Sequence, residues 1–214
     1  MNIKTFTFNQ FQQNMSILYD DTKECVIVDP GCYEKYEEEE LAAFIEGNKL
    51  KVVKLLNTHC HIDHVLGNKF VADKYNVELY IHKDDLPTLK GVASYAPMYG
   101  FPMYIEKEAN HFIADGDVIE FGNTKLEVIF APGHAPGHVV FFHRESKHLI
   151  NGDVLFDGSI GRTDLPGGNH EQLIKSIQEK VFPLGDDVIV HCGHGGRTTI
   201  GKEKASNPFC AVNI

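Results

Sequence analysis

Residues 58 to 64 read Thr58-His59-Cys60-His61-Ile62-Asp63-His64, which places three imidazoles and a carboxylate within six residues. Neutral imidazole and carboxylate are ligands for divalent metals of borderline or hard character. Structural zinc sites usually close with cysteine, whereas a His/Asp set leaves a coordination position for water, as hydrolytic chemistry requires. On an extended strand alternate side chains share a face, so His59 and His61 are expected to aim one way and Cys60 the other. Asp63 and His64 follow where the chain leaves the strand and turn toward a second point. The heptapeptide thus offers two ligands for one metal and two for another.

Three later segments can complete such a site. Ala131-Pro132-Gly133-His134-Ala135-Pro136-Gly137-His138 is a Pro/Gly-punctuated loop with two histidines. Asn151-Gly152-Asp153 ends a short apolar run with a carboxylate. Val188-Ile189-Val190-His191-Cys192-Gly193-His194 runs from a strand into a glycine-rich loop. Each time an apolar strand feeds a loop bearing His or Asp, which is how a sheet edge gathers ligands remote in sequence.

The elements that must position them are legible from periodicity and turn signals. Ile3 to Phe8, Met15 to Tyr19, Cys25 to Val28, Val52 to Leu56 and Val77 to Ile81 read as strands. Val118 to Phe121 and Lys125 to Phe130 read as a hairpin around Gly122-Asn123. Val139 to His143 and Leu149 to Ile150 continue a second sheet. Helices are expected over Tyr36 to Gly47, His64 to Tyr75 and His170 to Phe182, with a short last one over Thr198 to Ser206. The alternation predicts an αβ/βα sandwich in one domain, residues 1–214. Residues 91 to 104 show neither period and read as an irregular aromatic loop, either packed on the core or forming a lid or contact. As a lid, Tyr95, Tyr99 and Phe101 would wall a substrate pocket.

The motif Thr-His-x-His-x-Asp-His, the Pro-Gly-His loop, the Gly-Asp turn and the late Cys-Gly-His resemble the metallo-β-lactamase superfamily, and within it the glyoxalase II-like hydrolases. The resemblance implies an α+β, four-layer αβ/βα sandwich with two divalent metal ions, zinc first, with iron or manganese also compatible. It assigns His59, His61 and His134 to one metal, Asp63, His64 and His194 to the other, and Asp153 as the bridge. Asp63 and Asp153 are then the catalytic carboxylates. His138 matches a family histidine beside the site that is not a ligand. Asp29 falls near the site, either orienting a ligand imidazole or serving as a turn carboxylate before Pro30. The implied reaction is thioester hydrolysis by a metal-bridging hydroxide, on S-lactoylglutathione or a related acyl thioester. Glyoxalase II proper adds a C-terminal helical extension and a tyrosine for glutathione. Here the chain stops soon after His194, and the corresponding stretch reads Gly193-His194-Gly195-Gly196-Arg197. Arg162, in Gly161-Arg162-Thr163-Asp164, either binds a substrate carboxylate or is a surface arginine paired with Asp164. Persulfide dioxygenases, which use one iron, share this Gly-Arg-Thr-Asp segment and are the alternative; a lactonase or other esterase of the same fold is another.

Composition bounds the partners. The 214 residues are 43% hydrophobic and carry a net charge of −10, so no basic stripe tracks phosphates and nucleic acid is not expected as a partner. Glu37 to Glu40 reads as a solvated acidic start to a helix. The opening Met1-Asn2-Ile3-Lys4 lacks signal-peptide character and no apolar run reaches membrane-spanning length, so a cytoplasmic location is expected and no membrane partner. Five cysteines form no disulfide framework; Cys25 reads as a buried hydrophobe and Cys192 as the one nearest the metals. The sequence leaves the oligomeric state open.

Overall fold

A computed structural model of the chain describes residues 1–212, which fall into two compact units: Met1–Ile113 with Glu120–Lys125, and Ala114–Ile119 with the chain from Leu126 onward. The first unit contains β1 (Asn2–Phe8), β2 (Gln13–Tyr19), β3 (Glu24–Val28), α1 (Lys35–Gly47), β4 (Lys51–Leu56), α2 (Ile62–Val65), α3 (Asn68–Tyr75), β5 (Leu79–His82), α4 (Leu86–Tyr95) and β6 (His111–Ile113). Its strands form one sheet in sequence order, antiparallel from β1 to β3 and parallel from β3 to β6. Parallel neighbours need crossovers, which α1 supplies between β3 and β4, and α2 with α3 between β4 and β5. The run Cys25-Val26-Ile27-Val28 is buried at every residue, the pattern of an interior strand rather than of a half-exposed one.

Three sequence expectations are corrected in this unit. The helix expected over His64 to Tyr75 is broken between α2 and α3. Gly67 donates its N–H to the Pro30 carbonyl at 2.7 Å, and a Cβ there would meet the Cys32 sulfur at 2.4 Å. Only glycine lets the chain pass this close, and the pass ends α2. Secondly, the stretch from residue 91 begins inside α4 and continues as a short 3₁₀ turn, Ala96–Tyr99, stopped by Gly100 at φ +88°. Leu89, Val92 and Ala96 are buried at helical spacing. Pro87 and Pro97, which suggest a loop, both sit in first turns, where a missing N–H costs nothing. Thirdly, the acidic run is not wholly solvated. Glu37 is buried and accepts N–H groups of Asn9 (2.7 Å), Tyr33 (2.8 Å) and Glu34 (3.1 Å), while Glu39 and Glu40 are exposed.

The second sheet contains β7 (Val118–Phe121), β8 (Thr124–Phe130), β9 (Val139–His143), β10 (His148–Gly152), β13 (Ile189–Cys192) and β14 (Thr198–Thr199), in the order β14-β13-β10-β9-β8-β7. A small hairpin, β11 (Leu155–Phe156) with β12 (Ser159–Ile160), follows β10, and helices α5 (His170–Ser176) and α6 (Ile200–Ser206) accompany this sheet. Asn169 caps α5 by accepting the Gln172 N–H at 3.0 Å. The helix expected as far as Phe182 turns from α to π at Ile177–Val181, keeping Leu173, Ile177 and Val181 buried in one row. The last helix starts at Ile200 rather than Thr198, because Thr198 and Thr199 pair with β13 first. Two sheets with their helices make the fold class α+β. Among the described residues no helix is long and apolar enough to cross a membrane.

Candidate metal centre

The first unit presents the heptapeptide on a turn, not a strand: β4 ends at Leu56, and α2 begins at Ile62 with His61 as its N-cap. The expected strand alternation of His59 and His61 is therefore corrected. The cause is Asp29, whose carboxylate takes the chain out of the ladder. Its Oδ1 accepts the Thr58 N–H at 2.7 Å, and its Oδ2 accepts the Thr58 hydroxyl at 2.6 Å. Asp29 itself has φ +52° ahead of Pro30, an uncommon conformation for a non-glycine residue that needs such surrounding bonds to persist.

The same carboxylate organises two imidazoles. His64 Nδ1 donates to Asp29 Oδ2 at 3.0 Å, which leaves Nε2 as the lone-pair nitrogen, 3.6 Å from Asp63 Oδ2. The Thr58 hydroxyl gives its proton to Asp29, so its oxygen can accept from His59 Nδ1 at 3.0 Å. One ligand atom from each of Asp29, His59 and His64 lies within 4.8 Å of the others. The His61 ring stands edge to face on His59, centroids 4.8 Å apart. Below the turn, buried Asn57 donates to the His64 carbonyl at 2.9 Å and accepts from buried Asn68 at 2.8 Å. These two asparagines escaped the sequence reading; the only signal was an amide immediately before the Thr-His motif.

The second unit brings His134, Asp153 and His194 together. The Asp153 Oδ2 lies 3.6 Å from His134 Nε2 and 3.4 Å from His194 Nε2. His134 Nδ1 donates to the Arg162 carbonyl at 2.7 Å, which again frees Nε2 for a metal. His138 is buried, and its Nε2 accepts the Asp153 N–H at 3.1 Å, so it holds the backbone of the carboxylate. Two glycines permit the close approaches. Gly133 has φ +133° and would meet the Leu173 backbone at 2.3 Å with a Cβ; Gly161 would meet the Asp153 carbonyl at 1.9 Å. The Gly193 N–H donates to Gly152 O at 2.7 Å and ties the His194 turn to the Asp153 turn.

The remaining candidates are placed as follows. The Arg162 guanidinium forks onto Asp164 with two bonds of 2.7 Å, which hold the Asp164 carboxyl down at about 2. Phe101 is buried, its ring 4.8 Å from Tyr33. Tyr99 is half exposed, 5.7 Å from the Tyr95 ring. Burial, and then the charge of Asp63, push the Tyr95 phenol up to about 12. Burial, with Asp153 adding to it, pushes the Cys192 thiol up to about 12, so it is a poor thiolate. His191 is buried and bonds His148 Nδ1 through Nε2 at 2.8 Å.

The donors in both units are imidazole nitrogen and carboxylate oxygen, with Nδ1 of His59, His64 and His134 already anchored; this chemistry fits zinc, iron or manganese. Residues 9–194 match the Metallo-beta-lactamase superfamily, and the chain belongs to it. Over 211 residues, 98% of each chain, it is 40% identical to the hydroxyacylglutathione hydrolase GloC of Haemophilus influenzae. Among solved structures, the BLEG-1 B3 metallo-beta-lactamase is similar with a TM-score of 0.90 and 35% identity, over 99% of this chain and 100% of that one. TTHA1623 in a di-iron-bound form is similar with a TM-score of 0.85 and 32% identity, over 96% and 99%.

Proposed function

We propose that this metallo-hydrolase is a binuclear thioesterase of the glyoxalase II type, acting on S-lactoylglutathione or a related acyl thioester, with both units working as one catalytic domain. The observation that carries the reading is the full-length 40% identity to a hydroxyacylglutathione hydrolase. The ligand complement of each unit supports it. His59, His61 and His134 would hold one metal, Asp63, His64 and His194 the other, with Asp153 between. Such metals, zinc in the first instance, supply a nucleophile from water near neutral pH and polarise the acyl oxygen.

The chain's own residues do the rest. Asp29 and the Arg162 carbonyl accept the protons of His64 Nδ1 and His134 Nδ1, so that Nε2 is the lone-pair nitrogen of each neutral ring. Asp153, anchored by His138, holds a negative charge between two imidazoles. Tyr95 and Tyr99 are the aromatic surfaces offered to an acyl group, while Phe101 is buried against Tyr33 and Phe11. Arg162 is the nearest candidate for a substrate carboxylate, and engaging it means exchanging Asp164 for the ligand.

The test is loss of the thioester absorbance of S-lactoylglutathione with purified protein, before and after chelation. Fast, chelator-sensitive hydrolysis is expected. A fully metallated protein that leaves the thioester intact overturns the reading. Nitrocefin turnover or iron-dependent oxygen uptake would then assign the lactamase named for BLEG-1 or a dioxygenase.

A further inference from the structure

We propose that Asp85 is a positioning residue for the metal turn, acting through the backbone of Cys60; the inference rests on the metallo-hydrolase reading above. Asp85 is fully buried, at the junction between the short 3₁₀ turn Lys83–Asp85 and α4. Its Oδ2 accepts the N–H of Cys60, and its Oδ1 accepts the Thr88 hydroxyl at 3.2 Å. Cys60 is itself fully buried, and it is the one residue between His59 and His61. The direction of its amide therefore sets the aim of both flanking imidazoles at once.

The need for Asp85 follows from the topology. β4 and β5 are parallel neighbours with Leu56 opposite Tyr80, and the Asn57 N–H still reaches the Tyr80 carbonyl at 3.1 Å. Beyond that point the ladder stops while the chain remains buried, so the Cys60 N–H must find another acceptor or remain unsatisfied at a cost. The neighbouring chain leaves β5 at His82 and delivers a side-chain carboxylate three residues later. An amide oxygen would accept the same N–H with a smaller desolvation penalty. A carboxylate adds a fixed negative charge beside a turn whose ligands collect cations. Because Asp85 also opens α4, it joins the metal turn to the helix that ends in Tyr95.

The test is metal affinity and geometry, which can be read whatever the substrate proves to be. Zinc affinity by chelator competition, and the visible spectrum of the Co(II)-substituted protein, are compared for wild type, Asp85→Asn and Asp85→Ala. Asp85→Ala is expected to weaken zinc by about 10–100-fold and to alter the cobalt bands; Asp85→Asn, which keeps an acceptor oxygen, is expected to recover most of both. An Asp85→Ala protein that binds zinc within about twofold of wild type, with unchanged cobalt bands, overturns the proposal. If Asp85→Ala does not fold, Asp85→Asn against Asp85→Leu decides: weaker zinc binding with leucine supports it, and equal affinity overturns it. A failure of the thioester reading leaves these measurements untouched, since no thioester enters them.

Discussion

Asp29 carries more than its place before a proline suggests, because one carboxylate reaches both the His64 imidazole and the Thr58 hydroxyl beside His59. Replacing it with alanine should therefore loosen metals rather than remove a reacting group. An affinity loss of about 10–100-fold is expected, read by chelator competition. Replacing His59 or Asp153 should cost turnover more completely, by more than about a hundredfold, because the charge of a metal ion contributes several kcal/mol to the transition state. Steady-state hydrolysis with measured metal content separates the two cases. The His- and Asp-bearing turns were legible from residue type and spacing, while the division of their side chains between two metals came only with the family resemblance. The supports of these turns were not: Asn57 and Asp85 act through backbone groups and Asn68 through the Asn57 side-chain amide, and nothing in their identity announces which group they serve.

Strand and helix assignments held where one period dominated, as in β1 to β4 and the hairpin at Gly122-Asn123. They failed where a tertiary contact overrode local preference. Gly67 ends a helix because Cys32 and Pro30 are pressed against it, and α4 hides behind prolines that are harmless in first turns. The residue just after β12 illustrates how far such close packing reaches. A Cβ on Gly161 would overlap the Asp153 carbonyl, so Gly161→Ala should displace Asp153 and cut metal affinity by about tenfold or more, while circular dichroism remains that of a folded protein. The neighbouring strands β10 and β13 bear the His148–His191 pair. Burial, then the adjacent His148 and Arg197, lower His191 from the ordinary 6.5 to about 4. Between those values the unfolded chain holds the extra proton. Stability is thus complete above about pH 6.5 and falls on acidification toward pH 4, by at most about 3 kcal/mol from this residue. Melting temperatures of wild type and His191→Gln over that range test the slope, which the variant should flatten.

Across the whole molecule, the proposed ligands are dispersed from residue 59 to residue 194, with His59, His61, Asp63 and His64 on the first unit and His134, Asp153 and His194 on the second. Metals that bind only the folded chain must stabilise it by mass action, by about 2.7 kcal/mol at a free concentration one hundred times Kd. Chelation should accordingly lower the melting temperature as well as abolish hydrolysis, and zinc, iron or manganese added back should restore both, ranked by how well each suits the donors. The net charge of −10 predicts no measurable retention on duplex DNA at physiological salt, which an electrophoretic shift would check.

The five cysteines, buried at positions 25, 32, 60, 192 and 210, have thiols raised well above their ordinary range by burial. The native protein should ignore alkylating reagents, and each labelling event then becomes a clock for a local opening. Cys60 is the most useful of these clocks, because it lies between two histidines of the metal turn. Mass-resolved alkylation at that position would time how often the turn comes apart, with and without zinc, without any engineered probe.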